Sequence, residues 1–69
     1  MIPPFDIFAV KNGQSNWLDC AETMAKALEL ALDQGEGSYF VYSQQTGHRN
    51  FYKVSNGTVV QTSDPNLAG

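Results

Sequence analysis

Apolar and polar residues alternate in short runs along most of this chain, and only one stretch breaks into helical spacing. Phe5 to Lys11, FDIFAVK, sets Phe5, Ile7 and Ala9 on one side and Asp6, Phe8 and Val10 on the other. That two-residue period is the mark of a strand. Both sides are largely apolar, which predicts a central strand or one covered on both faces. Asn12-Gly13 follows, and both residues tolerate positive φ, so a hairpin turn is expected there. A second short strand, Ser15 to Leu18 or a little beyond, then folds back with Trp17 as its anchor.

The helical stretch lies in DCAETMAKALELALDQG. Met24, Ala27, Leu28, Ala31 and Leu32 recur at the spacing of one helix face, in a segment rich in strong helix formers. Two starts compete. Asp19-Cys20-Ala21-Glu22 has the form of a capping box, whereas Thr23 would cap a helix beginning at Met24. Thr23 is preferred, because WLDCA then completes the first hairpin. Gly35 suits the left-handed position just past the helix end.

Beyond it, Ser38 to Ser43 (SYFVYS) is the clearest strand, with Tyr39 and Val41 on one side and Phe40 and Tyr42 on the other. Gln44 to His48 contains Thr46-Gly47 and reads as a turn. Arg49 to Val54 is the return strand, with Arg49, Phe51 and Lys53 sharing a side. Asn56-Gly57 marks another turn, and Thr58 to Gln61 a last strand. The order is β-β-α-β-β-β. It predicts an α+β domain with a mainly antiparallel sheet of four to five strands and one helix packed on one face. The expected core is Phe5 or Phe8, Ile7, Trp17, Met24, Leu28, Leu32, Tyr39 or Phe40, and Val41. Residues 1–69 read as one small domain, with 63–69 as a tail.

This framework resembles a group of small, uncharacterised bacterial α+β proteins. The resembling residues are Phe5-Asp6-Ile7-Phe8, Trp17, Ala21-Glu22-Thr23, and Gly37-Ser38-Tyr39-Phe40 followed by Ser43-Gln44-Gln45-Thr46-Gly47, so the likeness covers residues 3 to 54. The positions are those of strand, cap and turn. The resemblance implies a bacterial α+β domain and no activity, so it transfers no functional residue.

Length sharpens the picture. A chain of 69 residues has little interior, since a domain near this size buries only about 60% of its unfolded surface. The usual staples are missing: one cysteine, Cys20, closes no internal disulfide, and one histidine with one cysteine makes no structural zinc site. The remaining routes to stability are an aromatic-rich core or a second subunit. Four Phe, three Tyr and one Trp supply the first. A lone cysteine points to a reducing compartment, and MIPPFDIF lacks the basic and apolar regions of a secretory signal. A soluble cytoplasmic protein is therefore expected.

Charge separates the halves. Residues 1–37 carry Asp6, Asp19, Glu22, Glu29, Asp33 and Glu36 against Lys11 and Lys26, while residues 38–69 carry Arg49 and Lys53 against Asp64, for a net charge of −3. Non-specific binding to phosphate backbones needs clustered cations, and this balance leaves room only for a small local patch.

Specific chemistry fares poorly. Cys20 and His48 are the one conceivable nucleophile–base pair, but a cysteine among alanines reads more plainly as a small buried hydrophobe, and His48 falls in a turn. Asp19, Glu22 and His48 form a poor metal set, and the two acids fit better as complements to a helix N-terminus. Gly35-Glu36-Gly37 places an acid between glycines, the wrong electrostatics for phosphate. No catalysis, metal, cofactor or small-molecule ligand is inferred. What remains is a sheet with two partly apolar faces and one helix to cover them. Phe40, Tyr42, Arg49, Phe51 and Lys53 are the candidate contact surface, if their faces coincide. The expected function is protein binding or self-association as a homodimer through that aromatic face. The alternative is single-stranded nucleic-acid binding, with aromatics as a floor and Arg49 and Lys53 beside it. Against both stands the plainer reading that the aromatics are core and the cations protect an edge strand.

Overall fold

The computed structural model describes residues 3–63. The elements run β1 (Phe5–Lys11), β2 (Gln14–Ala21), α1 (Met24–Gln34), β3 (Gly37–Ser43), β4 (Arg49–Ser55) and β5 (Thr58–Thr62). All strand pairs are antiparallel, in the spatial order β2-β1-β3-β4-β5. The helix packs on one face of this sheet, so the fold is α+β. Residues 64–69, most of the expected tail, lie outside the described residues.

Local chemistry explains the turns. Asn12-Gly13 and Asn56-Gly57 join β1 to β2 and β4 to β5, with φ of 53° and 54° at the asparagines and 78° and 73° at the glycines. Positive φ at both central residues is the two-residue hairpin turn whose twist matches the flanking strands. The helix begins where Thr23, in extended conformation, accepts a hydrogen bond at Oγ1 from the Lys26 N–H at 3.1 Å. It ends at Gly35, whose φ of 98° suits glycine and whose N–H donates to the Leu32 carbonyl at 3.2 Å.

The second strand runs to Ala21, as the completion of the first hairpin by WLDCA predicts, and it contains a bulge. Phe8 pairs with Trp17 but Ile7 pairs with Asp19, so Leu18 is the extra residue. An unbroken register would set Asp19 opposite Asp6 and Cys20 opposite Phe5. The insertion instead places Cys20 opposite Asp6 and Ala21 opposite Phe5. Two like charges are thereby kept from facing each other across the strands, and Ala21, 4% exposed, joins the core. Asp19 belongs to β2 and accepts a hydrogen bond from its neighbour's N–H, that of Cys20, at 2.7 Å. It does not cap the helix, and the helix's first turn holds no acid, so the expected role of Asp19 at the helix N-terminus is corrected, while Glu22 stands immediately before the Thr23 cap.

The core lies between α1 and one sheet face. Ile7 and Val41, paired across β1 and β3, are fully buried. Above them the helix presents Ala27 and Ala31, at 0% and 1% exposure. Small side chains here let the helix backbone sit close to the sheet. Tyr39, Tyr52 and Val54 complete this layer, with Phe5, Ala9, Leu18, Met24, Leu28, Leu30 and Val59 around it. Two tyrosines pin the helix at both ends. Tyr39 Oη donates to the Gly35 carbonyl at 2.7 Å, and Tyr52 Oη to Met24 Sδ at 3.7 Å. Burial raises the pKa of both phenols.

Several core expectations need correction. Trp17 and Leu32 are exposed, Trp17 at 56%, and Met24 and Leu28 are only half-buried. The alanines carry the centre of the helix interface, where leucines were expected. Of the two alternatives for β1, the interior strand is the one found. It has a strand on each side, but helix above one face only.

Candidate contact face on the open side of the sheet

Cross-strand pairing fixes what stands on the face opposite the helix. Paired residues on neighbouring strands point the same way. Trp17, Phe8, Phe40, Phe51 and Thr62 therefore form one row running across all five strands. Asp6, Tyr42 and Arg49 form the next row toward one end, and Val10, Ser38, Lys53 and Val60 the row toward the other. The stretch SQQTGHRNFYK is a hairpin: Gly47 (φ 76°) donates to the Ser43 carbonyl, and the Ser43 N–H donates to that of His48. This hairpin aligns Arg49 with Tyr42, Phe51 with Phe40 and Lys53 with Ser38. All five residues of the predicted surface thus share one face.

They do not share one environment. Phe8 and Phe40 lie parallel, with centroids 4.7 Å apart and planes 9° from coincident. Phe51 tilts against Phe40 at 5.3 Å and 38°. The Arg49 guanidinium sits 5.8 Å from the Phe40 ring centre, within reach of a cation–π contact. Enclosed by these neighbours, Phe40 is only 7% exposed. Its expected role as a contact residue is corrected: it is the floor on which the others rest. The accessible aromatic is Trp17, which the sequence pattern assigned to the core. Its indole N–H donates to Asp6 Oδ1 at 3.2 Å, and Gln44 Nε2 donates to Asp6 Oδ2 at 2.8 Å. Asp6 therefore ties β1, β2 and the start of the β3–β4 turn together. Sequence reasoning missed Trp17 although the signal was present, since counting back from the Asn12-Gly13 turn pairs it with Phe8.

A groove of about 440 Å³ opens on this face between Phe8, Ser15, Phe40, Tyr42 and Arg49. Three aromatic side chains, one serine and one cation line it. Cys20 lines a different cleft, with Asp19, Glu22, Thr23, Lys26 and Leu30, and His48 is not part of it. Among the described residues no three His, Cys, Asp or Glu side chains cluster in a way that would hold a metal, and no helix is long and apolar enough to cross a membrane. No family model matches the chain, and no curated protein or solved structure matches it at a significant level.

Proposed function

We propose that this chain is a small, non-catalytic interaction module of the cytoplasm that binds another protein, or a second copy of itself, through the open face of its sheet. The observation that carries this reading is the aromatic row ending in Trp17. One helix covers one face, and the other presents Trp17 and Val60, each 56% exposed, at either end of a floor made by Phe8, Phe40 and Phe51. Aromatic side chains at the centre of a patch with charge at its rim are the composition of protein-binding surfaces. Arg49 and Lys53 at that rim fit a partner surface that is acidic or aromatic.

Single-stranded nucleic acid fits less well. Base stacking needs open ring faces, and here Phe8 and Phe40 spend theirs on each other. The two cations of this face, Arg49 and Lys53, in a chain of net charge −3, also release few counterions.

The test is the charge reversal Arg49→Glu with Lys53→Glu. It is read by mass in solution, by Trp17 emission and by titration with a single-stranded oligonucleotide. Trp17 is the one tryptophan and stands on the face, so covering the face moves its emission to shorter wavelength. A concentration-dependent blue shift that the reversal weakens is the expected result. Oligonucleotide binding abolished by the reversal would favour the nucleic-acid reading instead. If the reversal changes neither association nor oligonucleotide binding while the fold persists, Arg49–Lys53 is only a return strand and the reading falls.

A further inference from the structure

The sheet has two edges, and they are built differently. β2 carries the Leu18 bulge with Asp19 beside it, and bulges and charges are the devices that keep an edge from pairing with another chain. β5, the outermost strand on the other side among the described residues, has neither. It reads TVVQT, pairs with β4 without a register shift, and lies in an uncharged run from Val54 to Ser63.

The turn before it decides which backbone groups are free. A two-residue loop with positive φ at Asn56 and Gly57 closes on the Ser55–Thr58 pair, which in such hairpins exchanges both backbone hydrogen bonds. Bonded and non-bonded pairs then alternate along the ladder. Val60 and Thr62 bond to β4, while Val59 and Gln61 direct their N–H and C=O groups outward. The segment also matches itself. Set antiparallel to a second copy and centred on Val60, it places Thr58 opposite Thr62, Val59 opposite Gln61, and Val60 opposite Val60. Val59 and Gln61 of each copy can then exchange backbone bonds with Gln61 and Val59 of the other. Val60 falls at a non-hydrogen-bonded position, where side chains approach most closely, and its 56% exposure is covered.

We propose that a second copy of this chain docks antiparallel along β5, joining two five-stranded sheets into one continuous sheet. The operation is a two-fold axis perpendicular to the sheet, which closes on itself and leaves both open faces on the same side. The proposal does not rest on the open face being a contact surface, and it would set two such faces side by side. The occupant is a second copy because the strand is complementary to itself at every position and bears no charge to oppose its twin. The joined strands are short of a standard interface of about 1,200–2,000 Å², so the association is a weak one.

Sedimentation or light scattering from about 10 μM to about 1 mM, the range of weak affinities, tests it. The mass is expected to double from 7.6 kDa. Amide exchange at Val59 and Gln61 is expected to slow with concentration, while Val60 stays protected throughout. In the Arg49→Glu, Lys53→Glu chain, whose open face no longer associates, the mass still doubles and Trp17, on the opposite edge strand, keeps its emission. Val60→Lys sets two ammonium groups face to face, and Gln61→Pro deletes an outward N–H that β4 does not use. Each is expected to hold the mass at 7.6 kDa with circular dichroism unchanged. A wild-type monomer at the highest concentration overturns the proposal, as does a dimer that survives Gln61→Pro in a folded chain. A dimer that shifts Trp17 emission and yields to the Arg49→Glu, Lys53→Glu pair belongs to the open face, and also overturns it. Protection of Val59 and Gln61 that appears only on adding an unrelated extended peptide would assign the edge to a foreign strand, against the proposal.

Discussion

On one face of the sheet Ile7 and Val41 lie at 0% exposure beneath Ala27 and Ala31. On the other, Phe8, Phe40 and Phe51 lean on one another with no described element above them. Both faces carry large apolar side chains, but water is excluded by different means. The covered face uses a second layer, so its residues are enclosed from above and from the sides. The open face uses lateral packing alone. That suffices for Phe40, which has a neighbour on each side, and fails for Trp17 and Val60 at the ends of the sheet. A two-layer domain of this size has apolar surface left over, and it is left at the rows' ends, where a partner can reach it.

Adjacent residues on β1 give the most severe test of this contrast. Ile7→Ala empties a fully buried site under the helix and is expected to cost about 2–5 kcal/mol. Phe8→Ala removes a larger side chain from the open face, where neighbours can relax and water already reaches the ring. Its cost is expected to be less than half that of Ile7→Ala, measured by chemical denaturation of both variants. Equal losses would mean that the open face is a second core in its own right, and its availability to a partner would be in doubt.

The features legible in the sequence are those set by one or two residues. Asn-Gly fixed both tight turns, Thr23 the helix start and Gly35 its end, because each depends on local backbone chemistry. The choice between faces was harder. FDIFAVK and SYFVYS are apolar on both sides, so periodicity alone left Phe5 against Phe8 and Tyr39 against Phe40 undecided. The answer lay one strand away: Arg49 and Lys53 cannot be buried beneath a helix, and pairing carries that constraint to Phe40 and Phe8. Size alone does not bury Trp17, because it stands on the edge strand β2 with a neighbour on one side only. The Leu18 bulge had no local signal, and it fixes only the far end of β2. Of the candidate site, the shared face of Phe40, Tyr42, Arg49, Phe51 and Lys53 followed from strand alternation. The burial of Phe40 did not, since it depends on ring contacts across three strands.

Deleting one polar tip from each face gives a finer comparison. Tyr39→Phe removes the partly buried bond to the Gly35 carbonyl at 2.7 Å and is expected to cost about 0.5–1.5 kcal/mol, seen as a lower denaturation midpoint. A pH effect accompanies it. Burial raises the Tyr39 and Tyr52 pKa values above the ordinary 10.0, so between the unfolded and folded values the unfolded chain binds fewer protons. Stability from this source is complete below about pH 10 and declines as pH rises further. Tyr39→Phe should flatten part of that alkaline decline. An unchanged alkaline limb would show that the phenol is not sheltered by the helix end.

Trp17→Phe is the matching change on the open face and the smallest effect expected. It removes the indole N–H that reaches Asp6 Oδ1 at 3.2 Å while keeping an aromatic ring in the row. Asp6 retains its bond from Gln44, and water can take the vacated position because the indole is already 56% exposed. An exposed bond of this kind competes with water, so its net worth is small. A change within about 0.5 kcal/mol is expected, the range of ordinary surface substitutions, measured by circular dichroism because the variant lacks its fluorophore. A loss as large as that of Tyr39→Phe would show that the Trp17–Asp6 contact holds β2 to β1 as firmly as the tyrosines hold the helix. The open face would then be a structural layer with one exposed member, and the contact surface would shrink to Val60, Arg49, Phe51 and Lys53 at the other end of the sheet.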